Sequence, residues 1–270
     1  MGANRTQAIG LCYATLFSGP SSDLSELSRH QSVNSLTEIS FQVCCIEEYD
    51  LFIASLEPNM NTLNLLQVER GLRTIARISL ENEKYFCDLD GEMGDADFGK
   101  SIRDGFSAVL SELPSIDRAD IGTFLIKVGT VFASHAGGTS GPMWGTAFLK
   151  AGLKAKGKTE LSLADVVQMG RAAVQGIMAR GGAQVGDKTL IDAIVPALDK
   201  VEELHQSGQE DFKSAFQAAS EAATAAVEGT RHWPAKRGRQ SYAGDRTIGT
   251  LDPGIVAVAM MLTAVAHDFD

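Results

Sequence analysis

Basic residues are scarce in this chain of 270 residues: 24 Lys and Arg stand against 34 Asp and Glu, for a formal net charge of −10. With no surplus cation to exchange for counterions on a phosphate backbone, a nucleic-acid partner is excluded. Long apolar runs are missing as well. The longest, GIVAVAMMLTAVA from Gly254 to Ala266, falls short of the roughly 18 residues that a membrane span requires and reads as a buried helix. Cysteine is sparse, and Cys12, Cys44, Cys45 and Cys87 show no C-x-x-C spacing, so they read as reduced thiols. The early stretch RTQAIGLCYATLFSG lacks a small-x-small cleavage site. The expectation is a cytoplasmic protein. No Ser–His–Asp or Cys–His arrangement is legible, and of the five histidines only His135 lies near a motif.

Lysine is absent from residues 1–59, a Ser-rich segment without sustained apolar periodicity that ends at SLEPNMNTL. The folded domain is expected over 60–270, and 1–59 is expected to be a poorly ordered extension or a non-native artefact of the assumed translation start. From Met60 onward apolar residues recur at three and four spacing, Ala is abundant, and no period-two strand appears. Eight helices are expected, at about 63–86, 99–113, 119–135, 141–156, 161–180, 188–206, 209–230 and 253–268, with Ser162 as an N-cap. Short connections favour antiparallel neighbours, so alternate connections emerge at one end. The first, third, fifth and seventh are DLDGEMGDADFG, HAGGTSGP, RGGAQVGDK and KRGRQSYAGDRTIGTLDPG. They hold nearly all the Gly clusters and unusual charge, which places a ligand site on that face.

GDADFGKS, residues 94–101, fits the phosphate-loop pattern G-x-x-x-x-G-K-[ST]. Two variable positions are Asp95 and Asp97, and the approach to the loop is polar rather than a buried strand, so the match is set aside. Asp90, Asp95 and Asp97, with Gly91 and Gly94 between them, instead offer three hard oxygen ligands to one point, which suits Mg²⁺ completed by substrate phosphate. A helix–loop–helix calcium loop fits poorly, since it would put Met93 where Gly is required and Gly99 where a bidentate Glu is required. The alternative is that these aspartates only cap a helix. GGTSGP at 137–142 can cradle phosphate with Gly amides and the hydroxyls of Thr139 and Ser140, or can be a tight turn with Pro142 at the first helical position. GDK at 186–188 can be a turn before a capped helix. Lys236, Arg237, Arg239 and Arg246 form the densest basic patch, on the same end as the aspartates.

Four stretches in register, LDGEMGDADFG, GGTSGPMWGTAFLKAG, GDKTLIDAIVPAL and KRGRQSYAGDRTIGTLDPG, closely resemble the nucleotide-binding L subunit of dihydroxyacetone kinase over about residues 63–268. The resemblance implies an all-α fold, an eight-helix antiparallel up-and-down barrel with the nucleotide site at one rim and an apolar core that can hold a lipid. It implies that Asp90, Asp95 and Asp97 hold two Mg²⁺ ions and are catalytic together with Arg239. Phe98, Gly99, Lys100, Ser101, Thr139, Ser140, Gly181, Leu190, Arg239, Asp252, Pro253 and Gly254 would contact ADP or ATP. The family usually has His after the last metal Asp, where this chain has Phe98.

The implied reaction is phosphoryl transfer from adenine nucleotide to dihydroxyacetone or a related short ketose held on a separate K subunit. A phosphoenolpyruvate phosphotransferase-system protein is the implied phosphodonor in one branch, and free ATP exchange is the competing source. The alternative function is a nucleotide-loaded regulatory paralogue that engages a transcription factor without turnover. The oligomeric state, a homodimer included, stays open.

Overall fold

A computed structural model describes residues 61–269; the segment 1–59 expected to be an extension lies outside the described residues. Among these, nine α-helices follow one another: α1 Leu65–Glu81, α2 Glu83–Gly91, α3 Phe98–Glu112, α4 Ile121–His135, α5 Ser140–Lys154, α6 Leu163–Gly181, α7 Ile191–Gln206, α8 Phe212–Gly229 and α9 Pro253–His267. Seven of the eight expected helices stand within three residues of their predicted ends. The first does not remain whole. It breaks at Asn82 (φ −110°, ψ 17°) and resumes as α2, which runs on to Gly91. Asp88 and Asp90 are therefore helix-borne, not part of the connection in which the sequence pattern put them. One antiparallel bridge also appears where no strand was expected. β1 (Leu63–Asn64) pairs with β2 (Glu160–Leu161), Leu63 opposite Leu161, and ties the start of α1 to the start of α6.

Local chemistry explains the helix starts. Asn64 and Gln67 form a reciprocal capping box on α1, as do Ser162 and Asp165 on α6. Asp120, Asp211 and Asp252 accept the N–H three residues ahead on α4, α8 and α9. Pro142 sits in the third position of α5, not the first, where its missing N–H still costs no helical bond.

The helices pack in chain order, α3 on α4, α4 on α5 and so on to α9, which closes the ring on α1. Taking α1 and α2 as one broken rod, this is the expected all-α, eight-membered up-and-down barrel. Phe106 of α3, Phe132 of α4 and the partly buried Trp144 and Phe148 of α5 meet edge-on or tilted inside it, with ring centroids 4.8–6.3 Å apart. The apolar helix α9 is buried along most of its length, and no described helix is long and apolar enough to cross a membrane.

The seam between α4 and α5 is built from glycines. A β-carbon on Gly129 would lie 2.8 Å from the Gly145 carbonyl, and one on Gly145 would lie 2.6 Å from the Ala133 β-carbon. A side chain there forces two backbones apart. Gly129→Val is expected to lower stability by about 1–3 kcal/mol, read as a lower urea midpoint with unchanged slope.

Candidate functional site

Alternation of direction brings the N-termini of α3, α5, α7 and α9 to one rim, together with the C-termini of α2, α4, α6 and α8. Each N-terminus presents unpaired amides and the positive end of a helix dipole, so the rim favours anions.

On this rim, at the α2–α3 connection, stand Asp90, Asp95 and Asp97, with one carboxylate oxygen from each lying within 4.8 Å of the others. Asp90 is buried in the last turn of α2, and its Oδ2 accepts the N–H of Asp97 (3.0 Å) and of Phe98 (3.3 Å). It thus caps α3 from outside. Asp97, the residue in the cap position, makes no capping bond itself, which leaves its carboxylate to face the cluster. The capping alternative therefore holds for one oxygen of Asp90 and for neither of the other aspartates. Between Asp95 and Asp97, Ala96 adopts φ +59°, a left-handed conformation that turns both neighbours toward one point at some backbone cost. Gly94 is required by contact: a β-carbon there would collide with Asp90 Oδ1.

Three carboxylates this close repel one another. Burial, with Asp95 and Asp90 alongside, holds the Asp97 carboxyl above the ordinary carboxylate value, while Arg239 acts in the opposite sense. The Arg239 guanidinium reaches Asp95 at 3.0 Å. It belongs to a 3₁₀ segment, Arg239–Thr247, in the α8–α9 connection, which is interrupted at Gly244.

The other predicted site residues lie at the same rim, by the direction of the helices that carry them. Gly99, Lys100 and Ser101 form the first turn of α3 behind Phe98. Gly99 is buried against α2, where a β-carbon would strike the Glu83 carbonyl. The Phe98 ring packs edge-on against Phe86, centroids 6.1 Å apart, so its side chain serves the core. Thr139 and Ser140 open α5, and β-carbons on the preceding Gly137 and Gly138 would lie 3.3 Å from Ser101 Oγ and 3.7 Å from Asp97 Oδ2. Gly181 ends α6 beside Met143 of α5. Leu190 precedes α7 and touches Gly254, whose neighbours Asp252 and Pro253 start α9. His135 ends α4 exposed, its Nδ1 2.9 Å from the Val131 carbonyl, rather than packed behind a loop.

Sequence reasoning missed three features here. Asp187 accepts the Arg237 Nε–H at 3.2 Å, so part of the basic patch is internally paired. Two buried side-chain atoms, Thr189 Oγ1 and Gln240 Oε1, have no hydrogen-bond partner, and each adjoins a predicted contact residue. Lys188, read as a turn residue, is wholly buried. Thr189 and Lys188 follow the Gly-Asp pair of the α6–α7 connection, and that pair was the only available signal.

A helical barrel with a carboxylate cluster set among helix N-termini and a basic strap has the donor groups of a phosphotransferase. The DAK2 domain family matches residues 92–267, and the chain belongs to it. It is 38% identical over 207 residues to the PEP-dependent dihydroxyacetone kinase, ADP-binding subunit DhaL, of Escherichia coli K12, covering 76% of this chain and 97% of that one. It is 34% identical over 201 residues to an L-erythrulose 1-kinase of Mycolicibacterium smegmatis, covering 73% of this chain and 34% of that longer protein. The crystal structure of the dihydroxyacetone kinase of C. freundii, native form, superposes with a TM-score of 0.60 at 26% identity, over 76% of this chain and 35% of that one.

Two outcomes are expected. Gly94→Ala should displace the Asp90 corner and weaken Mg²⁺ binding by roughly 10–100-fold, the usual cost of losing support for a metal ligand, measured by calorimetry with the fold checked by circular dichroism. Burial pushes the Asp252 carboxyl from 3.8 up to about 7, with its two amide bonds and Lys188 opposing. The folded protein therefore holds this proton more tightly than the unfolded chain does. The resulting stability is present in full below the unfolded value and is lost as pH rises through about 7. Asp252→Asn, which still caps α9, should flatten that decline, read from urea midpoints at about pH 5 and about pH 8.

Proposed function

We propose that this chain is the nucleotide-binding, phosphoryl-transferring subunit of a kinase for dihydroxyacetone or a related short ketose, acting with a separate ketose-binding subunit. The observation that carries the reading is the Asp90–Asp95–Asp97 cluster facing Arg239 amid four helix N-termini. The names of the relatives agree with it: the subunit from E. coli is described as ADP-binding and PEP-dependent, and the relative from M. smegmatis as an erythrulose kinase.

The residues present fit Mg²⁺ and an adenine nucleotide. The donor set is three hard carboxylates, which suits two Mg²⁺ ions held by Asp90, Asp95 and Asp97. Absent β-carbons at Gly137 and Gly138 leave room beside Asp97 and Ser101, and the unpartnered Thr189 Oγ1 and Gln240 Oε1 offer hydrogen-bonding capacity near Leu190 and Arg239. The metal, when bound, supplies charge neutralisation to the phosphates and alignment for in-line transfer. The amides of Gly99, Lys100 and Ser140 and the hydroxyls of Ser101 and Thr139 hold the polyphosphate and nucleotide at the rim, beside Gly254, whose own amide is given to Asp252. Gly181, Leu190, Asp252 and Pro253 shape the remaining wall. Arg239, which pairs with Asp95, would meet charge developing on the transferred group. With the Phe98 ring turned into the core and its amide given to Asp90, this position offers no imidazole where the family usually has one.

The relative from E. coli is named as a subunit, and by that analogy turnover requires a ketose-binding partner. By analogy with the PEP-dependent relative, the phosphate comes through a phosphotransferase-system protein that recharges ADP in place, and free ATP exchange is the competing source. Native mass spectrometry that finds ADP retained through purification supports recharging.

The deciding experiment combines the purified chain with its ketose-binding partner, Mg²⁺, ATP or a phosphodonor protein, and short ketoses. Ketose phosphate should form, and Asp95→Ala should abolish it together with Mg·ADP binding, a loss exceeding the roughly 10–100-fold cost of a supporting residue. Mg·ADP binding without turnover would point to a regulatory paralogue instead. Failure of both Mg·ADP and Mg·ATP to bind would sink the reading.

A further inference from the structure

Lys188 is only 1% exposed, and the chain places it with φ +60°. Glycine is the residue that meets a left-handed turn at least cost, so a lysine there is retained for its side chain. Its Nζ donates to three backbone carbonyls, Thr247 at 2.7 Å, Trp233 at 3.1 Å and Arg231 at 3.4 Å. An ammonium carries three protons, and each has an acceptor here. The acceptors come from both ends of the α8–α9 connection and bracket Arg239. Burial lowers the readiness of this amine to hold its proton, Asp252 supports the charge and Arg231 opposes it.

The preceding residue strengthens the attachment. Asp187 accepts the Lys236 N–H on its carbonyl at 3.0 Å and the Arg237 Nε–H on its carboxylate at 3.2 Å. Within the strap itself the Thr247 hydroxyl accepts the Ala235 N–H at 2.8 Å and donates to the Gly244 carbonyl at 2.7 Å. The α6–α7 connection thus grips the strap at its entry, while Lys188 draws entry and exit to one point. Arg239 extends from the enclosed loop to Asp95.

We propose that Lys188 is a positioning residue: by joining the two ends of the α8–α9 connection through their carbonyls, it sets the loop that holds Arg239 against the acidic cluster, and so governs how well the rim accepts a metal-bound nucleoside diphosphate. This rests on the nucleotide-binding reading above. It assigns to the Gly-Asp-Lys turn a function that acts across the site, through Arg239.

The test is a double-mutant cycle on Mg·ADP affinity, measured by calorimetry on the full chain for the native protein, Lys188→Met, Arg239→Ala and the double variant. Each single variant is expected to lose roughly 10–100-fold in affinity, and the double variant to bind no worse than about threefold below the weaker single one. Hydrogen exchange should show protection lost over residues 231–247 in Lys188→Met, with α3, α4 and α5 unchanged. Unaltered affinity in Lys188→Met, multiplied losses in the double variant, or unchanged exchange in the strap would overturn the proposal. So would failure of both Lys188→Met and Lys188→Gln to fold, which would make the residue part of the general core. If the native protein does not bind Mg·ADP, the nucleotide reading falls, and the exchange measurement alone decides whether Lys188 holds the strap.

Discussion

Mutual repulsion among Asp90, Asp95 and Asp97 is the interaction on which the rim is organised. Three carboxylates share one small region, and the protein holds them there by arranging compensation from several directions. One oxygen of Asp90 is neutralised by two amides at the head of α3. Arg239, on the α8–α9 connection, pairs with Asp95. Helix N-termini supply partial positive charge, and they do so because strict alternation of direction puts four of them at the same end. The compensation is incomplete: burial first, and then Asp95 and Asp90, hold the Asp97 carboxyl above its ordinary value.

Compensation at this distance demands a rigid frame. The helices touch closely where glycine permits it: Gly129 against Gly145 between α4 and α5, and Gly99 against the Glu83 carbonyl between α2 and α3. The second of these contacts is part of the site, since it fixes the two helices that carry Asp90 and Asp97. Strained backbone occurs where the frame can sustain it. Ala96 and Lys188 are the described non-glycine residues with positive φ; the first lies inside the acidic cluster and the second under the strap that carries Arg239. Both positions use the stability of the barrel to hold side chains that local preference alone would not place.

The octapeptide GDADFGKS shows how local pattern and tertiary role separate. Its letters match a phosphate loop, yet the structure makes its aspartates a charge cluster and its Phe98-Gly99-Lys100-Ser101 the first turn of a helix seated on α2. The break at Asn82 is a related case. A single helix was the reading over 63–86, and only the folded backbone shows that the rod breaks at Asn82 and carries Asp90 on its continuation. The capping of α6 by Ser162 was legible because its determinants lie within four residues of each other.

Composition, periodicity and turn residues were enough to determine a helical domain of antiparallel rods, the end on which its unusual connections meet, and the three aspartates as candidate ligands. Each of these depends on residues near in sequence or on the direction of successive helices. Which oxygen of Asp90 is spent on a helix cap, which cation answers Asp95, where the Phe98 ring goes, and what the Lys188 ammonium binds were decided only in the folded chain. Arg239 lies 144 positions from Asp95, and the farthest Lys188 acceptor 59 positions away; contacts over such separations follow from how the helices close into a ring, and no local pattern encodes them.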